Sequence, residues 1–388
     1  MPYLIYLIVI VSFIDMFSQL PIMSPLAKDL GSTSALIGVI VGMYSFTNMI
    51  GNILSGLFID KNGAKKVIVI GLLLTGVIVS LYPFVTSPES LLVVRFLHGL
   101  CGGLLVPAAF TLLSYSSNTN NQGKSMAVSG AAVGISAIVG PAFGGIVANK
   151  FGYSWVFFPI TILMLIVAVL AFLFLKGPEK QMMSTKKDHS SSKFDVLQLL
   201  KTPMLLIAYL GAFSLMFAQG VLAFLLPLKV DDLQYGSQFS GLLLSTFGMV
   251  AILIFILPTN RLFDRFRHEK VMVLGMFIIS FALIGLSFID NLLLLFIVMS
   301  VYGLGFACLF PSINALIITN SSSETRGKAF GLFYAFFSVG VVFGSSVTGV
   351  ITDSFSTGFL VGAGFLIVVT SSIVILRRNM DSRKRGTY

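Results

Sequence analysis

Long apolar runs separated by short polar breaks organise this chain from end to end. Twelve of them lie at residues 3–24, 35–58, 67–85, 90–113, 124–149, 154–175, 204–229, 239–259, 271–289, 292–318, 327–351 and 356–376. Each is long enough for an α-helix to cross a hydrocarbon layer of about 30 Å, some with tilt. The runs are unbroken and do not alternate with polar residues, so they predict helices and not barrel strands. Between the sixth and seventh runs lies a Lys- and Ser-rich stretch with Pro178, which reads as a flexible linker. The expected fold is an all-α membrane protein with twelve transmembrane helices. A six-helix bundle spans 1–175, the linker 176–203, a second six-helix bundle 204–376, and a tail 377–388.

The two bundles read as copies of one another. Asp60-Lys61 corresponds to Asp264-Arg265, Gly99 and Pro107 to Gly303 and Pro311, Gly123-Lys124 to Gly327-Lys328, and Gly140 and Gly145 to Gly344 and Gly349. Every pair is separated by 204 positions, which marks an internal duplication. Paired bundles suit a transporter that rocks around a site between its repeats. The copies differ where chemistry is expected: Asp15 falls opposite Gln219, Arg95 opposite Met299 and Pro141 opposite Ser345.

Composition agrees with a lipid solvent. Hydrophobic residues make up 56% and charged residues 10% of the 388, against about 25% charged in a soluble domain, and mean hydropathy is +0.97. The net charge of +10 does not imply nucleic acid, because topology accounts for it. On the expected spans, 21 of the 25 Lys and Arg fall in inner segments, Lys28, Lys150 and Lys229 fall in outer ones, and Arg95 lies inside a span. That bias predicts both termini on the cytoplasmic side. The first run has no basic leader or small-residue cleavage site and is interrupted by Asp15, so it reads as a span and not a signal peptide. Cys101 and Cys308 both lie in spans and indicate neither a disulfide framework nor a metal site; no cofactor is expected.

Asp15 is the acid placed well inside a span, with Ser12, Ser18 and Gln19 on its helical face. A carboxylate at mid-membrane costs about 2.5–3.5 kcal/mol on insertion scales, and desolvation disfavours its charged form, which makes Asp15 a candidate reversible proton site. The bland reading is a structural acid bonded to a neighbouring helix. Arg95 cannot neutralise itself and must find an anion, carbonyls or water. It is a candidate for proton coupling, for contact with an anionic substrate, or for a structural clamp. His98 shares its face and adds a switchable cation, or a locally satisfied histidine. Gln19, Tyr44, Asn48 and Asn52, with Tyr334 and Ser338 on the eleventh span, fit the wall of a wet substrate cavity. The fifth span carries Gly130, Gly134, Gly140, Pro141, Gly144 and Gly145, which allow close helix approach and a hinge. At the inner loop, Gly56, Asp60, Lys61, Gly63, Lys65 and Lys66, with the repeat pair Asp264 and Arg265, are candidates for a gate or for topology control alone.

These segments resemble the major facilitator superfamily across nearly the whole chain. Residues 56–66 resemble its loop motif G-x-L-a-D-r-x-G-r-k, departing at Ala64. LLVVRFLHG resembles its fourth-helix motif, whose Arg is associated with proton transfer. GISAIVGPAFGG resembles the fifth-helix motif of twelve-span drug:proton antiporters, and QLPIMSP their first-helix Pro-x-x-Pro motif. IDMFSQLPIMSP with GMYSFTNMIGN is similar to exporters of the opine metallophore staphylopine. The resemblance implies a proton-coupled exporter of a small molecule in the bacterial cytoplasmic membrane. Its partners are protons and lipid, with no nucleic acid, and the expected state is a monomer. The substrate is an anionic metallophore or, alternatively, a broad range of hydrophobic drugs. One acid against Arg95 and His98 is a balance that suits a carboxylate-bearing substrate.

Overall fold

The computed structural model describes residues 2–116, 122–175, 196–256, 266–322, 325–351 and 354–385, and among these every regular element is helical. In chain order they are α1 (Pro2–Ser18), α2 (Met23–Asp29), α3 (Ser34–Asn62), α4 (Ala64–Val79), α5 (Pro88–Gly102), α6 (Leu105–Ser116), α7 (Gln122–Phe151) and α8 (Ser154–Phe174). There follow α9 (Val196–Lys201), α10 (Pro203–Asp232), α11 (Ser237–Ile256), α12 (His268–Phe288), α13 (Leu292–Thr319), α14 (Arg326–Ile351) and α15 (Phe355–Arg385), and a 3₁₀ turn, Tyr82–Phe84, follows α4. Among the described residues eleven helical segments are long and apolar enough to cross a bilayer, and twelve if the bent pair α1–α2 counts as one span. Phe172, Phe174, Phe281 and Leu293 are exposed, a surface that only a lipid solvent satisfies.

The first span departs from the continuous helix expected at 3–24. It breaks after Ser18, bends by 43° and resumes at Met23. Pro21 has no backbone donor to continue the helix. Pro25 sits in the first turn of α2, where its missing N–H costs nothing. The fourth span also divides, into α5 and α6, at Gly103-Leu104. Local sequence sets the other ends. Gly63 joins α3 to α4 at φ +82°, a backbone that glycine adopts without strain.

Helix α5 carries Arg95 and His98, and Ser87 starts it. The Ser87 hydroxyl accepts from the Ser90 N–H at 3.2 Å, the Ser90 hydroxyl accepts from the Ser87 N–H at 3.1 Å, and Pro88 takes the first position. Ser87→Ala is expected to lower stability by about 1 kcal/mol in thermal unfolding of the detergent-solubilised protein. An unchanged midpoint would show that packing alone sets the start of α5.

The chain divides into two compact units. The first comprises Met1–Lys193 with Leu226–Ser245, the second Phe194–Leu225 with Thr246–Tyr388. The segment 226–245 thus groups with the first unit, although the repeat assigns it to the second copy. Within the first unit, α1 packs on α7, α3 on α5 and α4 on α8. Of the two small-residue pairs read in α7, 140/144 makes the close crossing. A Cβ on Gly140 would lie 2.7 Å from the Phe17 Cβ, and one on Gly144 would strike the Ser18 carbonyl, whereas one at Gly130 would meet nothing within 4 Å. Another side of α7 meets α11, where Gly241 abuts the Pro141 carbonyl and lies close to Gly145. In the second unit α12 packs on α13 and α15. There the buried Glu269 pairs with Arg267 at 2.7 Å and Arg377 at 3.2 Å, tying the start of α12 to the end of α15.

Candidate functional site

Five elements of the first unit, α1, α3, the 3₁₀ turn, α5 and α8, build the cluster around Asp15. The carboxylate is 1% exposed. Its Oδ1 accepts from Gln19 Nε2 at 2.9 Å, one helical turn along α1. Its Oδ2 lies 2.9 Å from Nε2 of His98 on α5. The other imidazole nitrogen, Nδ1, lies 3.0 Å from the hydroxyl of Tyr82 in the 3₁₀ turn. Tyr82 in turn stacks on Phe157 of α8, with ring centroids 4.3 Å apart. Tyr44 of α3 presents its ring edge-on to His98 at 5.0 Å. Ser12 and Ser18 share the Asp15 face, but their hydroxyls bond back to the carbonyls of Ile8 and Asp15.

Arg95 does not bond to Asp15 directly. Its Nη1 donates to Gln19 Oε1 at 2.9 Å, its Nε to the Ile40 carbonyl and its Nη2 to the Val41 carbonyl, both at 3.2 Å. The guanidinium carbon lies 4.9 Å from the centre of the Tyr44 ring, a cation–π contact. Arginine offers donors only, so Gln19 must turn its oxygen to Arg95 and its NH₂ to Asp15. Arg95 therefore acts on the carboxylate through an oriented amide. The fixed positive charge of Arg95 balances one carboxylate when Asp15 is ionised and His98 is neutral.

The duplication supplies an internal control. The positions 204 beyond Asp15 and His98 are Gln219 and Tyr302. They too are in contact: the Tyr302 hydroxyl donates to Gln219 Oε1 at 3.2 Å. Leu286 stands at the position matching Tyr82, and Met299 at that matching Arg95. The same contact is ionisable in one copy and neutral in the other, so the helix crossing is architecture and the titratable groups are an addition to it.

The remaining candidates lie elsewhere. Asn48 accepts from Asn52 at 3.1 Å, half-buried along α3 below Tyr44. Tyr334, on α14 of the second unit, is 58% exposed and meets Phe333 edge-on. Gly56, Asp60 and Lys61 are exposed at the end of α3, and Lys65 lies 6.0 Å from the centre of the Phe172 ring. Asp264 and Arg265 fall outside the described residues, as does His189. Gly134 is half-buried on α7. Far from the cluster in sequence, Lys28 pairs with Asp231 at 2.8 Å within the first unit. Both side chains are nearly half-exposed, so the pair contributes under about 1 kcal/mol. Among the described residues no group of three or more His, Cys, Asp or Glu is placed to hold a metal ion.

The family model for the Major Facilitator Superfamily matches residues 5–253 and 208–387. The chain belongs to the major facilitator superfamily. It is a multi-pass membrane transporter and not an enzyme. Curated relatives of this superfamily member include an uncharacterized MFS-type transporter of Methanocaldococcus jannaschii, 24% identical over 337 residues, covering 86% of each chain. The multidrug resistance protein MdtG of Escherichia coli O9:H4 is 28% identical over 315 residues, covering 79% of this chain and 76% of MdtG. Among solved structures, a bacterial homologue of the human lysosomal transporter Spinster, inward-facing and occupied, superposes with a TM-score of 0.81 at 13% identity, covering 97% of this transporter and 96% of that chain. The nucleoside transporter NupG gives 0.75 at 16% identity, covering 97% and 98%. These likenesses concern the fold.

Proposed function

We propose that this transporter is a proton-coupled exporter working by alternating access, with Asp15 as the group that binds and releases the proton. The observation that carries the reading is a lone mid-span carboxylate, buried in a hydrogen-bonded cluster that its own repeat copy lacks. Intramembrane acids mark ion pathways. Taking up a proton adds one positive charge to a buried site, and that cost differs between two conformations that hydrate the site differently. Such a difference is what couples a proton to a conformational change. The glycine-rich crossing of α7, resembling the antiporter motif, supports export over import.

Two substrate classes come into question. Broad-specificity export of hydrophobic compounds has the support of the MdtG relatives. Export of a carboxylate-rich metallophore has the support of the first- and second-helix segments that resemble staphylopine exporters. The geometry favours the first. Arg95 is buried with three of its five N–H donors on Gln19 and backbone carbonyls, and His98 is fully buried and bonded at both nitrogens, so neither lies open to a substrate carboxylate.

The test is movement of ethidium, a carboxylate-rich metallophore and a sugar into inside-out vesicles under an imposed pH gradient. Ethidium is expected to accumulate, and Asp15→Asn to reduce that accumulation at least tenfold in a protein that still folds. Undiminished uphill movement by Asp15→Asn would remove the carboxylate from the mechanism. Movement of the metallophore alone would transfer the assignment to the second class.

A further inference from the structure

The hydrogen bonds around His98 carry the chemistry one step past Asp15. We infer that the transported proton is shared between Asp15 and His98, and that Tyr82 is the positioning residue that fixes the imidazole tautomer and passes the proton to it. The inference rests on the proton-coupling reading above.

The polar atoms of the cluster are all satisfied in one arrangement when no extra proton is present. Gln19 and the Nε2–H of His98 donate to the Asp15 carboxylate, and the Tyr82 hydroxyl donates to Nδ1. A second arrangement holds one more proton and keeps both contacts of the imidazole. The Asp15 Oδ2–H donates to Nε2, and Nδ1–H donates to the Tyr82 oxygen. Within the cluster, passage between the two balances without moving a heavy atom. Tyr82 gives its hydroxyl proton to Nδ1 and takes one from a hydronium ion of the outer medium, which reaches this buried phenol when the conformation opens to that side. His98 then gives its Nε2 proton to Asp15. One proton enters at the phenol oxygen, and one resides on the carboxyl.

The other flank of Asp15 cannot do this. Gln19 is an amide locked by Arg95, and it donates a hydrogen bond without surrendering a proton. The groups that face His98 are few. They are Asp15 from α1, Tyr44 from α3 and Tyr82 from the 3₁₀ turn, with Arg95 one turn away on α5 itself. Asp15 is the single anion among them. Tyr82 lies in the turn between the third and fourth spans, which the Lys and Arg distribution places on the outer side. A proton entering by this route arrives from the side that drives export. The second unit replaces all three members together, with Gln219, Tyr302 and Leu286.

The experiment reads the proton directly and needs no substrate. Full-length protein with His189→Gln and His268→Gln, labelled with ¹⁵N-histidine, leaves His98 as its one histidine. Its two ring nitrogens are expected to show unequal shifts, with the proton on Nε2 at high pH. Asp15→Asn is expected to redistribute the proton between the two ring nitrogens, read as a change in their shift difference at fixed pH. Tyr82→Phe keeps the stack on Phe157 and is expected to mix the tautomers. In vesicles, His98→Gln is expected to lose at least tenfold in pH-driven ethidium accumulation, and Tyr82→Phe to shift its pH profile. The quadruple variant Asp15→Gln, Tyr82→Leu, Arg95→Met, His98→Tyr copies the neutral set of the second unit and leaves no buried charge unpaired. It is expected to fold and to be uncoupled, which separates loss of coupling from loss of structure.

If Asp15→Asn transports like the parent, both readings fall together. If Asp15→Asn is inactive while His98→Gln and Tyr82→Phe match the parent in rate and pH profile, the shared proton alone falls. His98 ring-nitrogen shifts indifferent to Asp15→Asn have the same consequence.

Discussion

Replacing Arg95 with Met, the residue at the matching position 299, is expected to destabilise the protein by about 3–5 kcal/mol. The Asp15 carboxylate would remain buried with no counter-charge, and Gln19 would lose the donor that orients it. Adding Asp15→Gln to the same chain is expected to recover most of that loss, because the pair then matches Gln219 and Met299 of the second copy. A thermal double-mutant cycle in detergent measures the coupling. Additive losses in the cycle would mean that the guanidinium and the carboxylate do not feel one another, and that Arg95 is only a clamp on the α3 carbonyls.

The second large effect concerns the crossing of α7 over α1. Gly144→Val is expected to cost on the order of 1–3 kcal/mol or more, because its Cβ is driven into the Ser18 backbone, three residues from Asp15. Helix separation there displaces the cluster as well. Gly130→Val is the matched control: the site is open, and valine is a better helix former than glycine, so neutrality or a slight gain is expected. Yield of monodisperse protein and its melting temperature distinguish the two. Equal behaviour of both variants would mean that α1 and α7 adjust freely at the crossing.

Much of this was legible in the sequence, and the misses have physical causes. Span count and duplication follow from hydropathy and from one constant offset, which are properties of the chain in one dimension. Asp15, Arg95 and His98 stand out because ionisable groups are costly in lipid. What one dimension hides is who bonds to whom. Gln19 read as a cavity wall, yet it stands between Asp15 and Arg95 and relays one to the other. Tyr82 escaped notice altogether, because a Tyr-Pro pair at the end of a span looks like an interfacial anchor. One signal was available. The offset that set Asp15 against Gln219 also sets His98 against Tyr302, and comparing the copies position by position would have raised His98 above the other polar residues. Pro21 and Pro25 likewise announced the break in the first span, which its hydropathy conceals.

If the proposed proton coupling holds, confining the titratable pair to one copy also sets how steep a gradient the protein can sustain. On the proposed shared-proton reading, one proton moves per cycle. One proton supplies about 1.4 kcal/mol per unit of pH difference and about 2.3 kcal/mol per 100 mV of membrane potential. Exchange against a monovalent cation moves no net charge, so the potential is wasted and one pH unit supports only about a tenfold concentration ratio. Exchange against a neutral compound uses both forces, and the same conditions support roughly 500-fold. With Gln219 where a second acid would stand, the charge of the cargo then decides how hard the membrane pushes.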